Sequence, residues 1–168
     1  MLQSSQGDRD AFASLVCRYQ ERLFAFFFRL GVEKDVAEEL VQETFLKLHC
    51  CQKDYRKKGK FSTFLYTIAR NLWIDWLRKQ KRIASMSLEV VEDAPFYLTY
   101  QSDRNLDVEK ALQQLSEKLR IVLVMSIFEN FTHREIADIL DIPLGTVKSR
   151  IHLALERLKE YLAIYHKF

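Results

Sequence analysis

Few groups in this chain of 168 residues could do bond chemistry, and none is spaced for it. The four histidines, His49, His133, His152 and His166, are scattered. The three cysteines, Cys17, Cys50 and Cys51, form no CxxC pair, and acidic neighbours such as Glu38 and Glu39 fall on a helix surface. No glycine-rich phosphate loop is present. Catalytic, cofactor and metal-binding residues are therefore expected to be none. The remaining chemistry is recognition. In "REIADILDIPLGTVKSRIH", Arg134 to His152, an apolar helix closes at Asp141-Ile142-Pro143 and the chain restarts at Gly145. Lys148, Ser149, Arg150 and His152 then sit on a second helix. Hydroxyls, cations and an imidazole at a helix start suit base edges and phosphates. A second set is "KFSTFLYTIARNLWIDWLRKQKR", Lys60 to Arg82, where Phe61, Phe64, Tyr66, Trp73 and Trp76 alternate with Arg70, Arg78, Lys79, Lys81 and Arg82. Aromatic planes stack on unpaired bases at ~1–3 kcal/mol per base while cations hold phosphates.

Helices must carry these side chains. Glycine (4) and proline (2) are too scarce for a turn-rich sheet protein, and 48% apolar residues supply a core without staples. An all-α fold follows. Three cysteines without a pairing pattern suggest a reducing compartment and thiols that are buried or half-buried. With no leader and no apolar run of about 18 residues, a soluble cytoplasmic chain without membrane insertion is expected. The net charge of +3 is unevenly spread. Lys53 to Arg82 is basic, whereas Glu33 to Leu48 and Ser85 to Glu109 are acidic, which implies more than one partner surface.

The apolar period predicts a first helix from Asp8 to Leu30, with Phe12, Leu15, Val16, Tyr19, Leu23 and Phe26 inward and Gly31 as its cap. A second runs from Asp35 to Cys50. On its wheel Val36, Ala37, Leu40, Val41, Thr44, Phe45 and Leu48 form one arc. Asp35, Glu38, Glu39, Gln42 and Glu43 form the other, with Leu46 among the carboxylates. An exposed leucine ringed by acids suits docking of a basic partner. After the basic loop "QKDYRKKGK", a third helix spans Ser62 to Arg82, with a possible break near its start. Leu65, Ile68, Ala69, Leu72 and Trp76 share its apolar stripe, and Arg70, Asn71, Ile74 and Arg78 are expected outside. Residues 84–105 read as a flexible acidic linker, and a second helical unit starts near Leu106. There Thr132 and Glu135 fit a capping box, with Ile136, Ala137 and Leu140 inward. On the next helix Val147, Ile151, Ala154, Leu155, Leu158 and Leu162 make an apolar stripe opposite Lys148, Ser149, His152, Glu156 and Lys159. This is helix-turn-helix geometry.

Three motifs in order, "DVAEELVQETFLKL" (Asp35 to Leu48), "KFSTFLYTIARNLWIDWLRKQKR" and "GTVKSRIH", closely resemble bacterial RNA polymerase sigma factors of the extracytoplasmic-function group, and the likeness runs from Gly7 to about Leu162. The resemblance implies two small helical domains: region 2 over residues 1–83 and region 4 over 106–168, joined by the linker. It implies a transcription initiation factor, not an enzyme. Its partners would be RNA polymerase core, through the β′ coiled coil and the β flap, promoter DNA, and an anti-sigma factor. By the same likeness Asp35, Glu38, Glu39, Gln42, Glu43 and Leu46 would meet the polymerase. Phe61, Phe64, Tyr66, Arg70, Asn71 and Arg78 would meet the −10 element, Asn71 reading a flipped base. Thr146, Lys148, Ser149, Arg150 and His152 would meet the −35 element, Thr146 and Arg150 through phosphate. The chain departs from the family at Leu153 and Leu155, where basic residues are usual, and at Phe64, often Trp. A Leu-Pro usually opens region 4, and here it is Leu115-Ser116, which leaves that helix start open. The rival reading is a self-sufficient helix-turn-helix regulator with an N-terminal dimerisation or sensing domain. Such a domain has no reason to combine exposed bases with aromatics.

Overall fold

A computed structural model describes residues 9–51, 60–86 and 103–165. Every regular element among the described residues is a helix: α1 (Arg9–Arg29), α2 (Lys34–Cys50), α3 (Phe61–Met86), α4 (Asp103–Gln113), α5 (Glu117–Ile127), α6 (His133–Leu140) and α7 (Leu144–Tyr165). The all-α expectation holds. The basic loop at 52–59 lies outside the described residues, and so does most of the expected linker. Helix reaches into that span from both ends, because α3 runs unbroken to Met86 and α4 begins at Asp103.

Local chemistry sets the helix ends. At the close of α1 the Val32 N–H donates to the Phe27 carbonyl (3.3 Å) and the Gly31 N–H to that of Phe28 (3.0 Å). This paired closure needs a left-handed residue, and Gly31 has φ +87°. A Cβ there would also lie 2.5 Å from Arg120 Nη1 and from Gln113 Oε1. The start of α5 survives without proline. Ser116 takes an extended backbone at the cap, and its carbonyl accepts from the Leu119 and Arg120 N–H groups, each at 2.9 Å. At α6 the capping box forms as expected. Thr132 Oγ1 accepts from the Glu135 N–H at 3.3 Å, and Glu135 Oε2 accepts from the Thr132 N–H at 2.8 Å. Asp141 ends α6 in the left-handed region, and α7 starts as Pro143 accepts from the Thr146 and Val147 N–H groups.

Helices α1, α2 and α3 pack as one layer, with α4 to α7 as a second. A single apolar core runs through both, from Leu23, Phe26 and Leu48 to Val122, Ile136 and Val147. Helix α6 lies on α3, and α4 touches α1. The expectation for the cysteines is corrected: Cys17, Cys50 and Cys51 are all exposed free thiols. Cys17 sits on the outer face of α1, and Cys50 and Cys51 at the solvated end of α2.

Candidate protein and nucleic-acid interfaces

Helix α2 presents its acidic arc to solvent. Ala37, Leu40, Val41, Thr44, Phe45 and Leu48 are buried, and Val36 is half-buried. Asp35, Glu38, Glu39, Gln42 and Glu43 are exposed, and Leu46, at 66%, stands clear among them. The inward Thr44 hydroxyl donates to the Leu40 carbonyl at 2.6 Å, so no buried hydroxyl is left unpaired. Glu43 meets Lys47 at 3.6 Å. Such an exposed pair is worth only ~0.3–0.5 kcal/mol, too little to hold the carboxylate back from a cationic partner.

Helix α3 places its six candidates unevenly. Asn71 and Arg78 are exposed. Asn71 Oδ1 accepts from Arg70 Nη1 at 2.7 Å, and Arg78 pairs with Asp75 at 3.2 Å. Phe61 and Phe64 are half-buried, with Phe61 edge-on to Tyr19 at 5.5 Å. Three expectations are corrected. Tyr66 is wholly buried, with its ring edge-on to Phe26 and Phe131 and its hydroxyl donating to Glu129. In this arrangement it offers nothing to a DNA strand. Arg70 was expected outside but is half-buried, and its guanidinium donates to the Leu140 carbonyl at the end of α6. Ile74 is likewise half-buried rather than exposed.

Helix α7 starts at the protein surface. Lys148, Ser149 and His152 are exposed, while Thr146 and Arg150 are half-buried. The Ser149 hydroxyl donates to the Thr146 carbonyl at 3.1 Å, and His152 lies 3.4 Å from Glu156. Buried Val147, Ile151 and Ala154 fix the helix against its neighbours. Leu153 is 42% exposed, as expected. Leu155 is corrected from the apolar stripe to the surface, at 38%. The first backbone N–H groups and these cations make the α7 start a fit for phosphate and base edges.

Sequence reasoning missed a group between the layers. Glu129, in the turn between α5 and α6, keeps only 2% of its side-chain surface exposed. It accepts from Tyr66 and from Arg22 Nη2 (3.1 Å). Burial first, then the adjacent Glu129 charge, pushes the Tyr66 phenol well above its usual range. At α6, the hydrogen bond from Lys60, at 2.8 Å, and that from the Thr132 backbone pull Glu135 down to about 2. Among the described residues no group of three or more His, Cys, Asp or Glu is placed to hold a metal, and no helix is long and apolar enough to cross a membrane.

The family model for Sigma-70 region 2 matches residues 15–83, and that for Sigma-70 region 4 matches residues 105–158. The chain is 34% identical to the ECF RNA polymerase sigma factor SigW of Bacillus subtilis, over 95% of this chain and 93% of that one. It is 30% identical to the RNA polymerase sigma-H factor of Pseudomonas aeruginosa, over 94% and 89%. Its structure is similar to that of the sigma factor RpoE of Bartonella quintana in complex with the anti-sigma factor NepR. There the TM-score is 0.77 at 30% identity, with 92% of this chain and 98% of that one covered.

Proposed function

Since the chain belongs to the extracytoplasmic-function group of the sigma-70 family, we propose a division of labour among its helices in promoter recognition. The protein is a transcription initiation factor that directs RNA polymerase core to promoters. The mechanism is recruitment and involves no bond chemistry in the chain. We divide it into an N-terminal module over residues 1–83 and a C-terminal module over 106–168. Helix α2 docks on the polymerase β′ coiled coil. Leu46 supplies the buried contact, and Asp35, Glu38, Glu39, Gln42 and Glu43 form a charged rim that steers a basic partner. Asn71 holds a flipped base of the −10 strand, since an amide carries both donor and acceptor for a base edge. Phe61 and Phe64 flank it as stacking surfaces, and Arg70 and Arg78 hold phosphate. Lys148, Ser149 and His152 read the −35 duplex in the major groove, with Thr146 and Arg150 on its backbone. The C-terminal module also meets the β flap. The chain would work in the cytoplasm, where polymerase and chromosome are, and an anti-sigma factor is an expected regulator.

The observation that carries this reading against a self-sufficient regulator is Leu46, 66% exposed on the same face as Glu38, Glu39 and Glu43. A protein that binds DNA alone has no use for such a surface, while one mounted on a larger machine requires it. The test is a gel shift on promoter-length duplex, with and without purified core polymerase. A shift that needs core supports the reading. A strong shift of a palindromic duplex by the chain alone contradicts it.

A further inference from the structure

Helix α7 carries its outward groups in a fixed order around its axis. At about 3.6 residues per turn, Ser149 and Leu153 lie ~40° apart at the centre of the solvent face. Lys148 and His152 lie on one flank, and Arg150 and Arg157 on the other. All are exposed except Arg150, which is half-buried. A helix seated in the major groove has a phosphate strand on each side and base edges in front of it. Cations on the flanks and short side chains at the centre suit that arrangement. A flanking lysine can turn inward to a base or outward to a phosphate. A leucine at the centre has only base edges before it.

A single exposed leucine is ordinary on a protein surface, so its surroundings decide what it does. Leu155, at 38%, follows buried Ile151 by one turn and borders the apolar stripe. Leu153, at 42%, does not. Its neighbours three and four positions away are Ser149, Arg150, Glu156 and Arg157, all polar. No apolar patch surrounds it, which disfavours a protein partner. One turn before it, the Ser149 hydroxyl donates to the Thr146 carbonyl at 3.1 Å, which leaves its oxygen free to accept from a base amino group. The next residues along the central line, Glu156 and Glu160, are exposed carboxylates, so the neutral part of the line ends with Leu153.

We propose that Leu153 is a specificity-determining residue that reads the C5-methyl group of a thymine in the −35 element. This rests on the promoter reading above, because it needs α7 in the major groove. Among the base edges of that groove, only thymine presents an apolar group. Guanine and adenine present acceptors, and cytosine and adenine an amino donor. A leucine set against any of these removes water without replacing its hydrogen bonds, which costs affinity. Against a thymine methyl it removes water from two apolar surfaces at once. One helical turn rises ~6 Å and base pairs are spaced by ~3.4 Å, so the thymine lies within about two base pairs of the one that Ser149 meets. The missing cation at this position is thus a change of letter, from a polar base edge to a methyl.

The test uses the full chain on purified core polymerase and a promoter selected by the parent from a randomised library. Each thymine of the −35 element, on either strand, is replaced in turn by deoxyuridine, which removes the methyl group and leaves every hydrogen-bonding atom in place. Binding is measured by competition against the unmodified promoter. One replacement should weaken binding by the parent holoenzyme about fourfold, the worth of one buried methyl. Leu153→Ala, too short to reach, should bind the thymine and deoxyuridine promoters equally. Leu153→Met, which keeps an apolar tip, should restore most of the difference. Because Leu153 is exposed, the thermal midpoints should match the parent's. A parent indifferent to every replacement, or a penalty that persists in Leu153→Ala, overturns the assignment. So does a loss in Leu153→Ala that is the same on every promoter, which would mark a contact with something other than a base. A parent that never transcribes on core overturns the promoter reading instead, so the two failures are distinguishable.

Discussion

Helices α2 and α3 lie side by side in the N-terminal layer and have opposite fates. Each buries an apolar stripe in the shared core, Leu40, Phe45 and Leu48 on one and Leu65, Ala69 and Leu72 on the other. Among the described residues the polar face of α2 is left exposed, from Asp35 to Leu46. That of α3 is shared, with Asn71 and Arg78 outside but Tyr66 and Arg70 taken by the C-terminal module. One layer of packing accounts for α2, and two are needed for α3. The acidic helix stands open to solvent, while the aromatic and basic helix is partly covered.

Substitutions on α2 sharpen this contrast most. Leu48→Ala removes a fully buried side chain and should lower unfolding free energy by ~2–5 kcal/mol in urea titration. Leu46→Ala, two positions away, should change it by no more than ~0.5 kcal/mol. Equal losses at the two sites would mean that the acidic arc is not a free face. Leu46→Glu carries the comparison to function. It should weaken binding to core polymerase by about 10- to 100-fold, ~1.4–2.8 kcal/mol, with an unchanged thermal midpoint. A variant that unfolds, or one that binds core normally, would remove Leu46 from the docking surface.

Smaller effects test the other exposed set. Lys148→Ala should relax the preference at one −35 position by ~1–3 kcal/mol, measured as competition among promoter variants on holoenzyme. Uniform weakening at every position would make Lys148 a phosphate contact. The smallest effect belongs to Glu135, which ties Lys60 to the α6 start. Its folded value of about 2 lies below the ordinary 4.5, so its bonds contribute in full above about 4.5. That contribution fades as pH falls toward about 2. The urea midpoint of the parent should therefore drop between about pH 6 and about pH 3 by more than that of E135Q. Identical acid sensitivity in the two chains would show that this carboxylate adds nothing.

Much of this organisation is legible in the residues. The wheel of α2 separates buried from exposed positions because one period and one core determine it. The capping box at Thr132 and Glu135 and the glycine closure at Gly31 are local chemistry, readable within a few positions. Tyr66 is misjudged for a nonlocal reason. An aromatic among bases looks like a stacking surface, and its neighbour Glu129 lies 63 residues away. Glu129 itself is one acid between Phe128 and Phe131 in an apolar run. That context hints at burial but names no partner. Leu155 is misplaced because it borders the stripe of α7, where a small rotation decides between core and solvent.

The most direct measurement of the central claim is run-off transcription by purified core polymerase over a randomised promoter library, with the chain supplied or withheld. Transcripts that depend on the chain and share paired −10 and −35 sequences are the predicted result. No chain-dependent transcript from any template in the library would contradict the account.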